Sequence, residues 1–175
     1  MDKTLLLGIG NTLLSDEGVG VHVIRFLAER FKGLEQIQVI DGGTLSFTLL
    51  ADVQNYDNLI VIDAAELQAA PGETRCFEGA AMDRHLRAGR KSVHEVGLSD
   101  LLDMARLSDH LPANRALIGI QPASTDWGEH PTAAVAAAIP GAADMACDLL
   151  EKWDTDNKYP QAVQHINEHS TNVYH

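Results

Sequence analysis

Cysteine is scarce in this chain: Cys76 and Cys147 are the only two in 175 residues, and they stand far apart. That excludes a disulfide framework and a paired-cysteine metal motif, and leaves two free, buried thiols as the expectation. Positive charge is also short, with 13 Lys and Arg against 25 Asp and Glu, a formal net charge of −12. Such a surface repels nucleic-acid phosphate and leaves a basic segment or a cation as the charged partner. No uninterrupted apolar run approaches the ~20 residues of a membrane span. Met1-Asp2-Lys3 leads straight into an apolar run, without the basic segment or cleavage site of a signal peptide. The expectation is a cytoplasmic monomer with neither nucleic acid nor membrane as partner. No serine or cysteine stands beside a base, so no covalent intermediate is expected.

What is present is enough apolar residue, 45% of the chain, to build one domain with a real core. Thr4 to Leu7 reads as a buried strand that breaks at Gly8-Ile9-Gly10-Asn11. Asp16-Glu17-Gly18 then leads into a helix with Val19, Val23, Ile24, Leu27 and Phe31 on one face. Ile37 to Ile40 is a second strand, ending at Asp41-Gly42-Gly43, and Thr44 or Ser46 caps a short helix to about Asp52. Leu59 to Ile62 has the unbroken apolar character of a strand buried on both faces, and it ends in Asp63. Thr74 to Phe77 is half-polar and suits an antiparallel edge. Residues Gly79 to Ser92 are basic and irregular, with a helical turn at Met82 to Leu86.

His94 falls in the loop before a helix that starts at Leu98-Ser99-Asp100 and runs to about Leu107. Ala116 to Ile120 is another apolar strand, ending in Gln121-Pro122. The Ala-rich stretch from Thr132 to Trp153 is helical and is kinked or split at Pro140-Gly141. Strands alternate with helices, which predicts an α/β fold: a three-layer sandwich whose mainly parallel five-stranded sheet has one antiparallel edge strand and helices on both faces. One domain, 1–153, is expected, with 154–175 a disordered tail.

In an open α/β sheet, ligands sit beyond the carboxyl ends of the strands. Here those ends bear Gly8 to Asn11 with Asp16 and Glu17, then Asp41, Asp63 and Gln121, and the loop before the later helix adds His94. Two carboxylates about 4 Å apart repel by roughly 4 kcal/mol at an effective dielectric of 20, so such a group needs a cation or a shared proton. An added imidazole favours zinc, nickel or iron. Taken singly, Asp16 and Glu17 also read as helix-start acids stabilised by the helix dipole. A strand-end Asp is as often a structural cap as a ligand, and a loop His is more often a surface residue. His22 is expected on the flank of the first helix, and His165 and His169 in the tail are not counted as a site. The glycine turn also suggests a dinucleotide fingerprint, but Leu13 occupies the third glycine position, and two acids at the helix start repel a pyrophosphate.

The segments GIGNTLLSDEGVG at Gly8 to Gly20, DGGT at Asp41 to Thr44 and VIDA at Val61 to Ala64 run in the same order as in a known family. So do the His94 segment with Gly97-Leu98-Ser99-Asp100, and GIQP at Gly119 to Pro122. Over roughly residues 3 to 153 the chain resembles the nickel–iron hydrogenase maturation endopeptidases. The Gln121-Pro122 form is similar to the subgroup that serves uptake-type hydrogenases. The resemblance implies an enzyme that removes a C-terminal extension from the precursor of the hydrogenase large subunit after nickel delivery. It carries the family's metal-contacting acid to Glu17, its strand-end Asp to Asp63 and its loop His to His94, with Asp41 a further motif residue. Nickel is then carried by the substrate, and other divalent cations can substitute. The tail beyond Trp153 and the basic stretch from Arg84 to Lys91 depart from the pattern.

Two mechanisms fit these residues. In one, substrate-held nickel meets Glu17, Asp63 and His94 and polarises the scissile carbonyl or activates water. In the other, two of Asp16, Glu17, Asp41 and Asp63 share a proton and activate water as an aspartic protease does, with nickel only a recognition handle. Backbone N–H groups of Gly8 to Asn11 are candidates for an oxyanion site, and a sheet edge for binding the extension as an added strand. A different class of function is a nickel-checking chaperone that never cuts, and a nucleotide-binding α/β protein is the remaining alternative.

Overall fold

Five strands form one sheet in the order β2-β1-β3-β5-β4. They are β1 (Thr4–Gly8), β2 (Ile37–Asp41), β3 (Asn58–Ala64), β4 (Thr74–Glu78) and β5 (Asn114–Ile120). The first three and β5 run parallel, and β4 pairs antiparallel with β5 at the edge. The computed structural model describes residues 2–45, 47–88 and 93–154. The expected disordered tail therefore lies outside the described residues apart from Asp154, as do His165 and His169.

The helices are α1 (Val19–Ala28), α2 (Leu50–Gln54), α3 (Ala80–Arg87), α4 (Val93–Leu107) and α5 (Ala133–Trp153). Single 3-10 turns at Ser15–Gly18 and Phe47–Leu49 precede α1 and α2. Alternation along the strands separates two cores. Leu6, Ile60, Ile62 and Ile118 pack with the apolar faces of α1 and α5. Leu5, Leu7, Leu59, Val61 and Leu117 pack with α2, α3 and α4 on the other face. This is the expected three-layer sandwich, and the continuous apolar runs of β1 and β3 follow from burial on both faces. Each fully buried Leu or Ile contributes about 1.5–3 kcal/mol.

Helix α1 lies unusually close to the sheet. A Cβ at Gly20 would fall 2.1 Å from the Ile62 carbonyl oxygen, so only glycine permits this approach. The chain turns back between β1 and β3, with β2 on one side and β5 on the other, and that reversal places the crevice of the fold at the ends of β1 and β3.

Four expectations are corrected. The helix expected from Leu98 begins at Val93, so His94 lies in the first turn of α4 rather than in a loop. Gly97 and two valines lower the intrinsic propensity of that turn; tertiary context overrides them, and a Cβ at Gly97 would come no nearer than 3.8 Å to Leu45. The basic stretch holds a regular helix, α3, pinned by Arg115 and Arg106 to Asp83 (2.6 and 3.2 Å) and by Arg87 to Asp103 (3.1 Å). Helix α5 runs unbroken through Pro140. Proline removes one helical hydrogen bond, and burial of Val135 before it and Ala142, Ala143 and Ala146 after it packs both halves into the same core, so the helix is not split there. Cys147 is buried, but Cys76 on the β4 edge is exposed.

By length and composition α5 is apolar enough to cross a membrane. Here its apolar stripe packs in the same core as Leu6, Ile60 and Ile118, so its hydropathy is that of a helix covering a sheet.

Candidate functional site

Asp63 and His94 meet. Residues 59 and 61 of β3 face the α4 layer, and by the two-residue period Asp63 faces it too. His94, in the first turn of α4, brings its Nδ1 to 3.7 Å from Asp63 Oδ1, with side-chain exposures of only 7% and 3%. An oxygen and a nitrogen donor thus lie together under cover at the end of β3, beside the crevice.

Glu17 reaches the same end of the sheet by another route. It sits in the 3-10 turn Ser15–Gly18, which the glycine loop supports from beneath. Gly10 has φ of 138°, and a Cβ there would stand 1.9 Å from the Glu17 carbonyl oxygen. The Glu17 side chain is half-buried. No hydrogen bond or ion pair holds it among the described residues. Nor does any group of three or more His, Cys, Asp and Glu side chains among the described residues form a metal-holding cluster. Of the three expected ligands, Asp63 and His94 are brought together and Glu17 is not joined to them in this conformation. The donor pair fits a borderline cation such as nickel, but a full coordination shell requires atoms from elsewhere.

Asp41 is placed apart. It is in register with Gly8 on the neighbouring strand, and Gly8 is in register with Ile62. Two strand spacings, about 10 Å, therefore separate it from β3. Its carboxylate accepts from the Gly43 amide at 3.0 Å and pairs with Arg25 of α1 at 3.3 Å. Asp41 is thus engaged with α1, while Asp63 faces the α4 layer.

Asp16 is engaged as well. It is fully buried, and its carboxylate accepts four hydrogen bonds from one loop. These come from the amides of Ala123 (2.8 Å), Ser124 (2.9 Å) and Thr132 (2.6 Å), and from the Thr132 hydroxyl (2.9 Å). Burial pushes its carboxyl up, but those amides and the hydroxyl outweigh burial and leave it below the usual value. Asp16 is enclosed by that loop and Asp41 pairs with Arg25, so neither carboxylate is placed against Asp63.

The glycine loop does not offer all its amides. Ile9 N–H donates to Ile62 O (2.9 Å) and Gly10 N–H to Gly43 O (2.7 Å), so these two are not oxyanion donors as expected. Gln121 braces the site from β5: its Oε1 accepts from the Leu67 amide at 2.7 Å, fixing the loop after β3. His22 lies on α1. Burial, then the charges of Arg25 and His130, push its imidazole below the usual value.

Sequence reading missed the loop of residues 121–132 and its clamp on Asp16. The visible signal was a connection rich in Ser, Asp, Gly and Pro between a buried strand and a long helix, which marks a loop but not its partner.

Comparison with known proteins agrees with this architecture. A family model described as hydrogenase maturation protease matches residues 21–149. The hydrogenase expression/formation protein HupD of Rhizobium leguminosarum bv. viciae is 34% identical over 152 residues, covering 86% of this chain and 75% of that protein. The hydrogenase 2 maturation protease of Escherichia coli K12 is 32% identical over 151 residues, 86% of this chain and 92% of that one. The solved structure of the hydrogenase maturating endopeptidase HybD from E. coli superposes with a TM-score of 0.80 at 31% identity, covering 86% and 93% of the two chains.

Proposed function

This chain belongs to the hydrogenase maturation protease family, and on that premise we propose that it removes a C-terminal extension from the precursor of a nickel–iron hydrogenase large subunit once nickel is in place. As a member of that family the protein is a peptidase. The nickel is part of the substrate. The observation that carries the reading is the buried Asp63–His94 pair at the reversal point of the sheet, 3.7 Å between Oδ1 and Nδ1. Two donors from the protein leave coordination positions to the precursor's own ligands, so the pair distinguishes a loaded precursor from an empty one. Glu17, on a rim turn and untethered among the described residues, swings in as the third donor when the precursor docks. The substrate's metal, if held by Asp63, His94 and Glu17, would supply Lewis acidity to the scissile carbonyl while a water adds its oxygen to the carbonyl carbon and its proton goes to the leaving amine. Asp63 and His94 orient the bound end of the polypeptide, and their burial strengthens their attraction for the substrate's cation.

The test is incubation of purified protein with nickel-loaded and nickel-free precursor, read by mass spectrometry of the large subunit. Loss of the extension from loaded precursor alone is the expected result. Cleavage of the nickel-free form at full rate overturns nickel recognition, and an intact C-terminus in both forms overturns the peptidase assignment in favour of a non-cutting nickel-checking chaperone.

A further inference from the structure

Residues 121–132 join β5 to α5, a long connection in a domain whose other links are mostly short, and such loops are usually functional. The hydrogen bonds that fix its middle run to Leu13, Ser15 and Asp16. Gly128 N–H donates to Leu13 O (2.9 Å), Ser15 N–H to Gly128 O (2.8 Å) and Asp16 N–H to Ser124 O (3.1 Å). Ser15 Oγ donates to Asp126 O at 2.9 Å. Ser15 itself has φ of 48°, a left-handed conformation that a non-glycine residue keeps only where its surroundings hold it. Together with the four bonds to the Asp16 carboxylate, these fasten an exposed loop in one position.

What the loop presents is apolar. Trp127 is 83% exposed and Leu13 48%. Each immediately precedes its partner in the parallel Leu14–Gly128 bridge, so the two lie side by side. A Trp on a pre-organised loop is the residue type that dominates protein recognition.

We propose that this loop is a precursor-recognition element, with Trp127 and Leu13 the apolar contacts to the polypeptide beside the scissile bond and Asp16 the positioning residue that presents them. This rests on the reading of the protein as a precursor-cleaving peptidase. Continuity identifies the occupant: Leu13 to Asp16 run directly into Glu17, so a polypeptide whose scissile bond reaches Glu17, Asp63 and His94 crosses this rim.

The experiment is steady-state processing of nickel-loaded precursor by the full chain carrying Trp127→Ala, Trp127→Phe or Asp16→Asn. Trp127→Ala raises KM roughly tenfold or more while kcat stays within about twofold, the pattern of lost uniform binding. Trp127→Phe restores most of the affinity. Asp16→Asn raises KM in the same direction. In a Trp153→Phe background, where Trp127 is the sole tryptophan, it also lowers the fluorescence anisotropy of Trp127, which a purely structural loss of stability does not do below the unfolding transition. A wild type that cleaves while Trp127→Ala keeps its KM overturns this inference alone. Sedimentation in which Trp127→Ala dissolves a homodimer with KM unchanged also overturns it, by assigning the rim to a second copy. A wild type that leaves the precursor intact overturns the peptidase reading and this inference with it.

Discussion

The Asp63 carboxylate at the end of β3 and the His94 imidazole in the first turn of α4 face each other at 3.7 Å, both nearly inaccessible to solvent. Asp63→Asn keeps the shape of the side chain and removes its charge, and His94→Ala removes the imidazole. Each lowers kcat/KM at least ~100-fold, the scale on which a positioned acid–base or binding group acts. Circular dichroism of both variants remains that of the native fold. Activity within tenfold of wild type for both substitutions takes the pair out of the site.

Glu17 stands in a different relation to its surroundings. With no bond to lose among the described residues, Glu17→Gln leaves the unfolding midpoint unchanged but weakens binding of nickel-loaded precursor by about 10–100-fold, as loss of a carboxylate near a metal does. Titration with loaded and empty precursor reads this directly. Equal affinity of wild type and variant for the loaded form removes Glu17 from the recognition set.

Asp16 makes stability depend on pH in a stated direction. Its folded value lies below the ordinary 3.8. Its contribution is therefore fully present above 3.8 and is lost as pH falls through the lower folded value. Asp16→Asn costs about 1.5–3 kcal/mol at pH 7, the worth of hydrogen bonds to a charged acceptor. Scanning calorimetry at pH 7 shows the variant melting lower by roughly 2–4 °C per kcal/mol, and the gap narrows below that pH window. A gap that widens in acid contradicts the sign.

Gly10 supports the turn of Glu17 with a backbone that no side chain tolerates. Gly10→Ala adds a Cβ 1.9 Å from the Glu17 carbonyl oxygen at φ 138°. It destabilises the protein by roughly 2–4 kcal/mol, the range of strain at a special backbone position, and lowers kcat/KM through displacement of Glu17. Urea denaturation and the processing assay together check both effects. Wild-type stability in the variant dissociates the glycine from its proposed role.

The order of elements was legible because burial on two faces leaves β1, β3 and β5 as unbroken apolar runs, and α1 keeps a helical stripe between charged residues. The start of α4 was not, because a turn containing Gly97 and β-branched residues has weak local preference. The acids at strand ends were equally visible, yet alike in sequence: nothing local distinguishes Asp63, aimed at His94, from Asp41, paired with Arg25, or from Asp16, closed inside a loop more than a hundred residues away.

From the sequence came the layered α/β class, through periodicity, and a set of strand-end acids with a histidine nearby, through residue chemistry; the choice of Glu17, Asp63 and His94 among them came from the family resemblance of the motifs. Tertiary structure alone decided which carboxylates have partners already. That depends on strand register and on contacts between distant segments: the two-residue alternation of β3 directs Asp63 toward α4, and the loop after β5 encloses Asp16. Neither the register between strands nor the path of a loop is encoded in any local run of residues.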